Sequence, residues 1–343
     1  MRGTLVLTAI LLAVAAIRFD YWDPGPVRRL TAGAHGLPWG HGVDVEGYVR
    51  LVAYFRGSAP ADSMLAPFCF RPLVPAAASL LPFPALTALD VVNLLALAGA
   101  LLLLLAVMRR IGLGERSRWY GGLLFALSFP TFYYGAIGFV DPVAILAAAL
   151  LLHLTLREAP LPLLAAVAIL AALVKETNAA FCVLPVLYAW FGGSRSWSRL
   201  AWAASVPAAA VAAAMTARAL LPFPGSGYFW TPALAPLLDN LSRPRTYLSL
   251  ALTVGPPLFF AGAAWVGGRA AAAIGERDRR LLASGAAIAA GLYLYSFASA
   301  FTDGRIVWAS YPFLIPLAAS WFEERRAAGV RMRPSPAAAP SRG

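Results

Sequence analysis

Two acidic residues stand close together in the first polar stretch of the chain, within HGVDVEGYVR. Asp44 and Glu46 are separated by one residue, so their side chains face the same way if this stretch is extended. A carboxylate in that setting can act as general base on an acceptor hydroxyl, while its neighbour orients a group or a metal. The alternative is an ordinary helix N-terminus, where acids are favoured by the helix dipole. From these residues alone both interpretations stay open.

Arg71 is a candidate for binding an anion. It precedes Pro72, a residue type suited to the first position of a helix. A cation there opposes the positive end of the helix dipole unless an anion joins it, and a lipid phosphate is the natural anion at a membrane surface. The alternative is an arginine that extends to the lipid headgroups.

Two more cations are candidates for the same phosphate. Lys175 is the only lysine among 28 basic residues, which suggests that its position requires an amine; chance survival is the alternative. Arg305 follows Asp303 and Gly304, and Asp-Gly is a standard turn pair that by itself accounts for Asp303. From that turn Arg305 can reach a phosphate.

Two predicted membrane helices, 142–156 and 161–174, are unusually short. As helices they measure about 22 and 21 Å, whereas the hydrocarbon core is about 30 Å thick. Asp141, Lys175 and Glu176 lie at their ends and are therefore expected below the membrane surface. Ionisable groups at that depth usually line a cavity or pair with one another. Helix capping is the alternative for Asp141, but it explains Lys175 poorly.

The composition predicts that the protein lies in a membrane. Of 343 residues, 60% are hydrophobic and 13% charged, and the mean hydropathy is +0.70. Soluble domains are about 25% charged and would not hide this much apolar surface. The runs are too long for a lipid-facing β-barrel, and two cysteines exclude a disulfide framework. The net charge of +12 then indicates membrane topology rather than binding to nucleic acid.

The apolar runs predict an all-α polytopic bundle of about ten spans in a single domain, residues 1–326. The first span is either retained or cleaved as a signal peptide, and 73–81 is too short to cross. The predicted spans are 4–17, 85–108, 119–138, 142–156, 161–174, 178–192, 200–221, 247–266, 281–300 and 306–322.

Two polar segments complete this organisation. Residues 18–71 form a long first outer loop, with an amphipathic helix predicted at the membrane interface. The apolar residues at helical spacing in that helix are Val45, Tyr48, Val49, Val52 and Phe55. Residues 327–343 are rich in Ala, Pro, Arg and Ser, and a disordered cytoplasmic tail is expected there.

Arginines concentrate in alternate loops, which predicts that both termini are cytoplasmic. The candidate residues then gather on the outer face, and the heavy use of arginine and alanine is typical of a GC-rich bacterium. We therefore expect a multi-pass protein of a bacterial cytoplasmic membrane. The histidines His35, His41 and His153 lack metal-ligand spacing and no nucleotide-binding loop is present, so neither a metal nor a cofactor is predicted.

A short first span, an outer loop with an acidic pair and a many-spanned apolar body resemble the GT-C superfamily of membrane glycosyltransferases. The stretches RPLVPAAASLLP, GFVDP and LAALVKET are similar to bacterial members of that group. The resemblance implies an inverting transfer of sugar from a polyprenyl-phosphate carrier to a lipid-linked glycan or other envelope acceptor. It implies that Asp44 is the catalytic carboxylate and Glu46 the second acid. Arg71, Lys175 and Arg305 would then bind the carrier phosphate, supported by Asp141, Glu176 and Asp303.

The competing hypothesis is a transporter or lipid-binding membrane protein without catalysis. Transporters often have broken helices in repeated halves. The sequence offers one candidate break, Pro256-Pro257, and no counterpart in the first half. This asymmetry favours the enzyme.

Overall fold

The computed structural model describes residues 2–19, 43–193, 196–227, 229–300 and 302–323, and within these ranges the chain is all-helical, without strands. The all-α prediction is confirmed. The α-helices are α1 (Arg2–Ala16), α2 (Val43–Phe55), α3 (Leu73–Ser79), α4 (Ala85–Arg110), α5 (Glu115–Ala126), α6 (Phe129–Tyr134), α7 (Asp141–Leu156), α8 (Leu161–Val174), α9 (Leu184–Phe191), α10 (Trp197–Leu220), α11 (Leu234–Ser242), α12 (Pro244–Val266), α13 (Arg269–Ala273), α14 (Glu276–Ser299) and α15 (Tyr311–Ala319). Short 3₁₀ helices lie at Ala61–Ser63, Phe68–Phe70, Glu176–Val183, Ile306–Ser310 and Ser320–Phe322.

Within the part of the chain that the structure describes, four helices, α4, α10, α12 and α14, are long and apolar enough to cross a membrane. Shorter apolar helices include α1, α7 and α8. The predicted total of about ten spans stays a prediction. The predicted span 119–138 is not one helix, because α5 ends at Ala126 and Ser128 caps a new helix, α6, by accepting a hydrogen bond from the Thr131 backbone.

The core runs through the whole bundle. Helix α4 packs along α7, α8 along α10, and α12 along α15. Buried leucines and alanines of α4 follow helical spacing, for example Leu97, Leu101 and Leu104, and they join a single apolar cluster with Leu7 and Leu11 of α1. The small alanine side chains at Ala96 and Ala100, likewise buried, suit close packing between helices.

Two helices end at an extended residue, and a 3₁₀ helix follows each of them. Helix α8 ends where Lys175 adopts an extended conformation, and the chain continues as a 3₁₀ helix before α9. Similarly, α14 ends at the extended Ala300, and a 3₁₀ helix precedes α15. The proposed break at Pro256-Pro257 is wrong, since α12 runs continuously through both prolines. Each proline removes one backbone hydrogen bond and crowds the carbonyl oxygen of the preceding turn, but the packing of α12 against α15 supports the helix.

Helix α2 carries the acidic residues of the first loop. Its apolar residues Val45, Tyr48 and Val52 are buried against protein, chiefly α3 and α4, while Phe55 is 37% exposed. The predicted apolar face is therefore covered largely by the bundle. The rest of the loop prediction, 20–42, and the predicted tail, 327–343, lie outside the described residues.

Candidate functional site

An ion pair joins α2 to the turn that follows α14. Asp44, in the first turn of α2, accepts a hydrogen bond from Arg305 through its Oδ2 atom at 2.6 Å from Nη2. The two residues are 261 positions apart. Both side chains are mostly buried, with 22% of Asp44 and 17% of Arg305 exposed. Folding therefore places the predicted catalytic carboxylate beside a predicted phosphate-binding cation.

Further charges surround this pair. Arg305 Nε lies 3.7 Å from an oxygen of Asp141 and 4.0 Å from one of Asp303. The other oxygen of Asp141 accepts a hydrogen bond from Lys175 Nζ at 2.7 Å. We call these five residues, Asp44, Asp141, Lys175, Asp303 and Arg305, the Arg305 cluster. Lys175 directly follows α8 and Asp141 begins α7, so the ends of the two short helices supply these two charges.

An aromatic ring supports the guanidinium of Arg305. The Cζ atom of Arg305 lies 3.9 Å from the ring centre of Phe139, which is buried. A cation over an aromatic face in such surroundings gains electrostatic stabilisation. The ring and the carboxylates together fix the direction of the Arg305 side chain.

The turn that carries Arg305 is anchored to α12. The Arg305 backbone N–H donates to Asp303 Oδ1 at 2.9 Å, which accounts for Asp303 as a turn residue. The Gly304 N–H donates to Ser249 Oγ at 2.8 Å. A methyl group on Gly304 would overlap the Ser249 carbonyl and the Thr253 hydroxyl, so only glycine lets the turn approach α12 this closely. The turn is therefore held rigidly beneath Arg305.

A second group of charges adjoins the first, and we call it the Arg71 cluster: Tyr48, Arg71 and Glu176. Arg71 binds Glu176 with two hydrogen bonds, from Nε at 2.7 Å and from Nη2 at 2.6 Å. Its Nη1 donates to the Tyr48 hydroxyl at 2.6 Å. Bidentate arginine–carboxylate pairs are among the strongest hydrogen-bonded pairs in proteins. The anion next to Arg71 in this structure is the carboxylate of Glu176.

The Arg71 cluster changes the titration of its members. Burial alone would raise the pKa of Glu176, but the charge and hydrogen bonds of Arg71 outweigh it and lower that pKa to about 2. Burial likewise opposes the charged form of Arg71, yet Glu176 and Tyr48 raise the pKa of Arg71. Burial raises the pKa of the Tyr48 phenol, so that group stays protonated. The cluster is a fixed ion pair at neutral pH.

Glu46 is separated from the other predicted site residues. It forms an ion pair with Arg50, one turn along α2, at 2.5 Å. Residues two apart in a helix point about 200° from each other, so Asp44 and Glu46 do not act as a pair facing one way. The acidic stretch is therefore the first turn of a helix and is not extended.

The Arg305 cluster holds three carboxylates and two cations. An anion that binds here must therefore replace a carboxylate on Lys175 or Arg305 rather than fill an empty positive site. A small cavity of about 10 Å³ lies beside Asp141 and Lys175, with Thr177 and Asn178 also in its wall. This volume suits about one water molecule. Among the described residues no group of three or more potential ligands could hold a metal ion.

Three residues of this region were not predicted from the sequence as site residues: Tyr48, Phe139 and Ser249. Tyr48 was assigned only to the apolar face of α2, and Phe139 and Ser249 lie next to or within apolar runs. For Tyr48 and Ser249 the sequence contains one signal, which is a hydroxyl group within an otherwise apolar stretch. No such signal exists for Phe139, because its role depends on the distant Arg305.

Comparison with known proteins gives no further guide to this site: no family model, curated protein or solved structure matches the chain.

Proposed function

We propose that this protein is a membrane glycosyltransferase that moves a sugar from a polyprenyl-phosphate carrier to an acceptor hydroxyl, with Asp44 as general base. The observation that supports it best is the Asp44–Arg305 pair, which is set beside Asp141 and Lys175. A partly exposed carboxylate that is paired with Arg305, and connected to Lys175 through Asp141, provides a base and a site for a leaving phosphate within one polar cluster. The mechanism needs no cofactor.

In the proposed reaction the Asp44 carboxylate takes the proton of the acceptor hydroxyl while that oxygen attacks the anomeric carbon. The bond from this carbon to the phosphate oxygen breaks, and its electron pair leaves with the polyprenyl phosphate. Attack opposite the leaving group inverts the configuration. Lys175 and Arg305 stabilise the charge that develops on the phosphate.

Donor binding exchanges partners in the Arg305 cluster. The phosphate takes the place of a carboxylate on Arg305 or Lys175, and Asp44 is released toward the acceptor. Arg71 has a different part, since its Nε, Nη1 and Nη2 groups already bind Glu176 and Tyr48. Arg71 holds Glu176, and with it the neighbouring Lys175, directly after the end of α8.

The proposed setting is the outer face of a bacterial cytoplasmic membrane. The arginine-rich loops give this orientation by the preference of positive charge for the cytoplasmic side. The donor is lipid-linked, and the acceptor is a lipid-linked glycan or another component of the cell envelope. Because the Arg71 guanidinium already binds Glu176 and Tyr48, we assign Lys175 and Arg305 to the donor phosphate.

The test is release of free polyprenyl phosphate from a lipid-linked sugar by purified protein in lipid nanodiscs. Asp44→Asn keeps the shape of the side chain and a hydrogen bond to Arg305 but removes the base, so release should fall by about 10²–10⁴-fold. The matched control is Asp62→Asn, an exposed acid of the same loop, which should keep full activity. Full activity in Asp44→Asn contradicts the assignment of the base. Lack of release by the wild type with every lipid-linked sugar tried favours the non-catalytic alternative.

A further inference from the structure

Two polar residues lie inside the longest of the four helices that are able to cross a membrane. Asp90 and Asn93 are on one face of α4, and both are fully buried. They are about 8 and 12 Å along the helix from Ala85, at 1.5 Å per residue. Burial of polar groups at such depth is costly unless they are hydrogen-bonded, and such residues often serve a function. Neither residue belongs to the two clusters described above.

Both side chains bind the backbone of the bend between α6 and α7. Asp90 Oδ1 accepts a hydrogen bond from the Gly138 N–H at 2.6 Å. Asn93 Nδ2 donates to the Phe139 carbonyl oxygen, also at 2.6 Å. Residues 135–140 are not helical, so their backbone groups lack the partners that a helix supplies. The two side chains provide those partners.

The bend has a backbone conformation at Gly138 that favours glycine. The φ angle of Gly138 is +79°, in the left-handed region that favours glycine. A Cβ atom at this position would lie 2.7 Å from side-chain atoms of both Leu86 and Val45. The bend is thus enclosed by α4 on one side and by α2, next to Asp44, on the other.

Two residues that follow Gly138 contact Arg305. The Phe139 ring lies 3.9 Å from Arg305 Cζ, and Asp141 binds both Lys175 and Arg305. We propose that Asp90 and Asn93 are positioning residues: they clamp the backbone of 138–139 and so hold Phe139 and Asp141 in place around Arg305. Their effect on sugar transfer rests on the proposed function, whereas the clamp itself does not.

Hydrogen exchange of the full-length protein in nanodiscs tests the clamp. Asp90→Leu removes the acceptor, so exchange at the Gly138 amide should accelerate by at least about tenfold. Asp90→Asn keeps an acceptor oxygen and should stay within about threefold of the wild type. Leu104→Ala is the control, since Leu104 is a buried residue of the same helix far from the bend. It should lower the melting temperature without accelerating exchange at residues 138–139.

Equal exchange at residues 138–139 in Asp90→Leu and Leu104→Ala would overturn the clamp. If Asp90→Leu does not fold, Asn93→Ala takes its place. That variant loses the bond to the Phe139 carbonyl and should accelerate exchange across 138–140 by about threefold or more. Wild-type exchange in this variant would also overturn the proposal.

The polyprenyl-phosphate release assay tests the positioning role. We expect Asp90→Leu to lower kcat by about tenfold or more with KM within about twofold, and Asp90→Asn to restore kcat. Accelerated exchange with unchanged kcat would show that the clamp does not position the site. If the wild type releases no phosphate, the proposed function fails, while the exchange data still decide whether the clamp exists.

Discussion

The two ends of the bundle carry ion pairs of different kinds. At the end that holds Asp44, the Asp44–Arg305 pair joins residues 261 positions apart, and both side chains are mostly buried. At the start of α14, Glu276 pairs with Arg279 and Arg280 within one helical turn, and Glu276 is 52% exposed. The first kind requires the complete fold, whereas the second forms wherever that helix forms.

The two kinds of ion pair differ in how much they contribute to the stability of the fold. Exposed pairs one turn apart contribute about 0.3–0.5 kcal/mol and are screened by salt. A buried pair must repay the desolvation of both charges, so apolar residues often give equal stability at the same place. Charges that are buried and distant in sequence are therefore better candidates for function than charges that are merely numerous. In this chain that criterion selects the Arg305 and Arg71 clusters.

The largest effect should follow loss of Arg305. Arg305→Met removes the cation that faces Asp44, Asp141 and Asp303, and leaves three carboxylates around an apolar side chain. We expect a loss of about 3–5 kcal/mol in the free energy of unfolding, measured by denaturant titration in detergent. The matched control, Arg280→Met, should lose less than about 0.5 kcal/mol. Similar losses in both variants would remove the distinction between the two ends.

A steric change at Gly304 should also lower the stability of the fold at the end of the bundle that holds Asp44 and Arg305. Gly304→Ala places a methyl group against the Ser249 carbonyl of α12, so the turn must move away, at a cost of about 3 kcal/mol. Gly291→Ala is the control, because a Cβ atom there meets open space on the exposed side of α14. It should raise stability by about 0.4–1 kcal/mol. Melting temperatures that shift in the same direction would contradict the close approach of the turn.

The Arg71 cluster predicts a specific pH dependence. Because the folded protein lowers the pKa of Glu176 to about 2 from its usual 4.5, its carboxylate stabilises the fold fully above about pH 4.5. That contribution is lost as the pH falls toward 2. Glu176→Gln should therefore be less stable than the wild type by about 3 kcal/mol at pH 6, and the difference should nearly vanish near pH 2. Unfolding free energies of both proteins between pH 2 and 6 check this, and a difference independent of pH would contradict it.

Apolar patterning was enough to predict the all-helical fold and the long helices. The predicted spans 85–108 and 247–266 lie within α4 and α12, and 200–221 differs from α10 by a few residues. The predicted spans 161–174 and 281–300 end where α8 and α14 end, within one residue, but the pattern did not show that a 3₁₀ helix follows each of them. A 3₁₀ helix and an α-helix can share the same apolar composition, so backbone geometry at these points depends on the neighbouring helices.

The site was predictable only as a set of residue types. Charges at the ends of short helices led us to expect that Asp141, Lys175 and Glu176 line a cavity or pair with one another, and in the structure Asp141 pairs with Lys175. The pairing of Asp44 with Arg305 depends on which helices are neighbours, which a single sequence does not specify. Asp90 and Asn93 were overlooked inside a predicted span, although an ionisable residue within such a span was a readable signal.

The smallest effect should come from the exposed pairs of α14. Glu276→Gln removes a charged partner from Arg279 and Arg280. Arg280 is 58% exposed and water solvates it at once, and the Gln carbonyl oxygen still accepts from the less exposed Arg279, so stability should change by less than about 1 kcal/mol. That small difference should shrink further in 1 M salt, where the screening length is about 3 Å. The buried Asp44–Arg305 pair is shielded from salt, so the loss in Arg305→Met should persist. Denaturant titrations of both variants at low and high salt measure this contrast. Equal salt sensitivity at the two ends would mean that water reaches Asp44 and Arg305 as freely as it reaches Glu276.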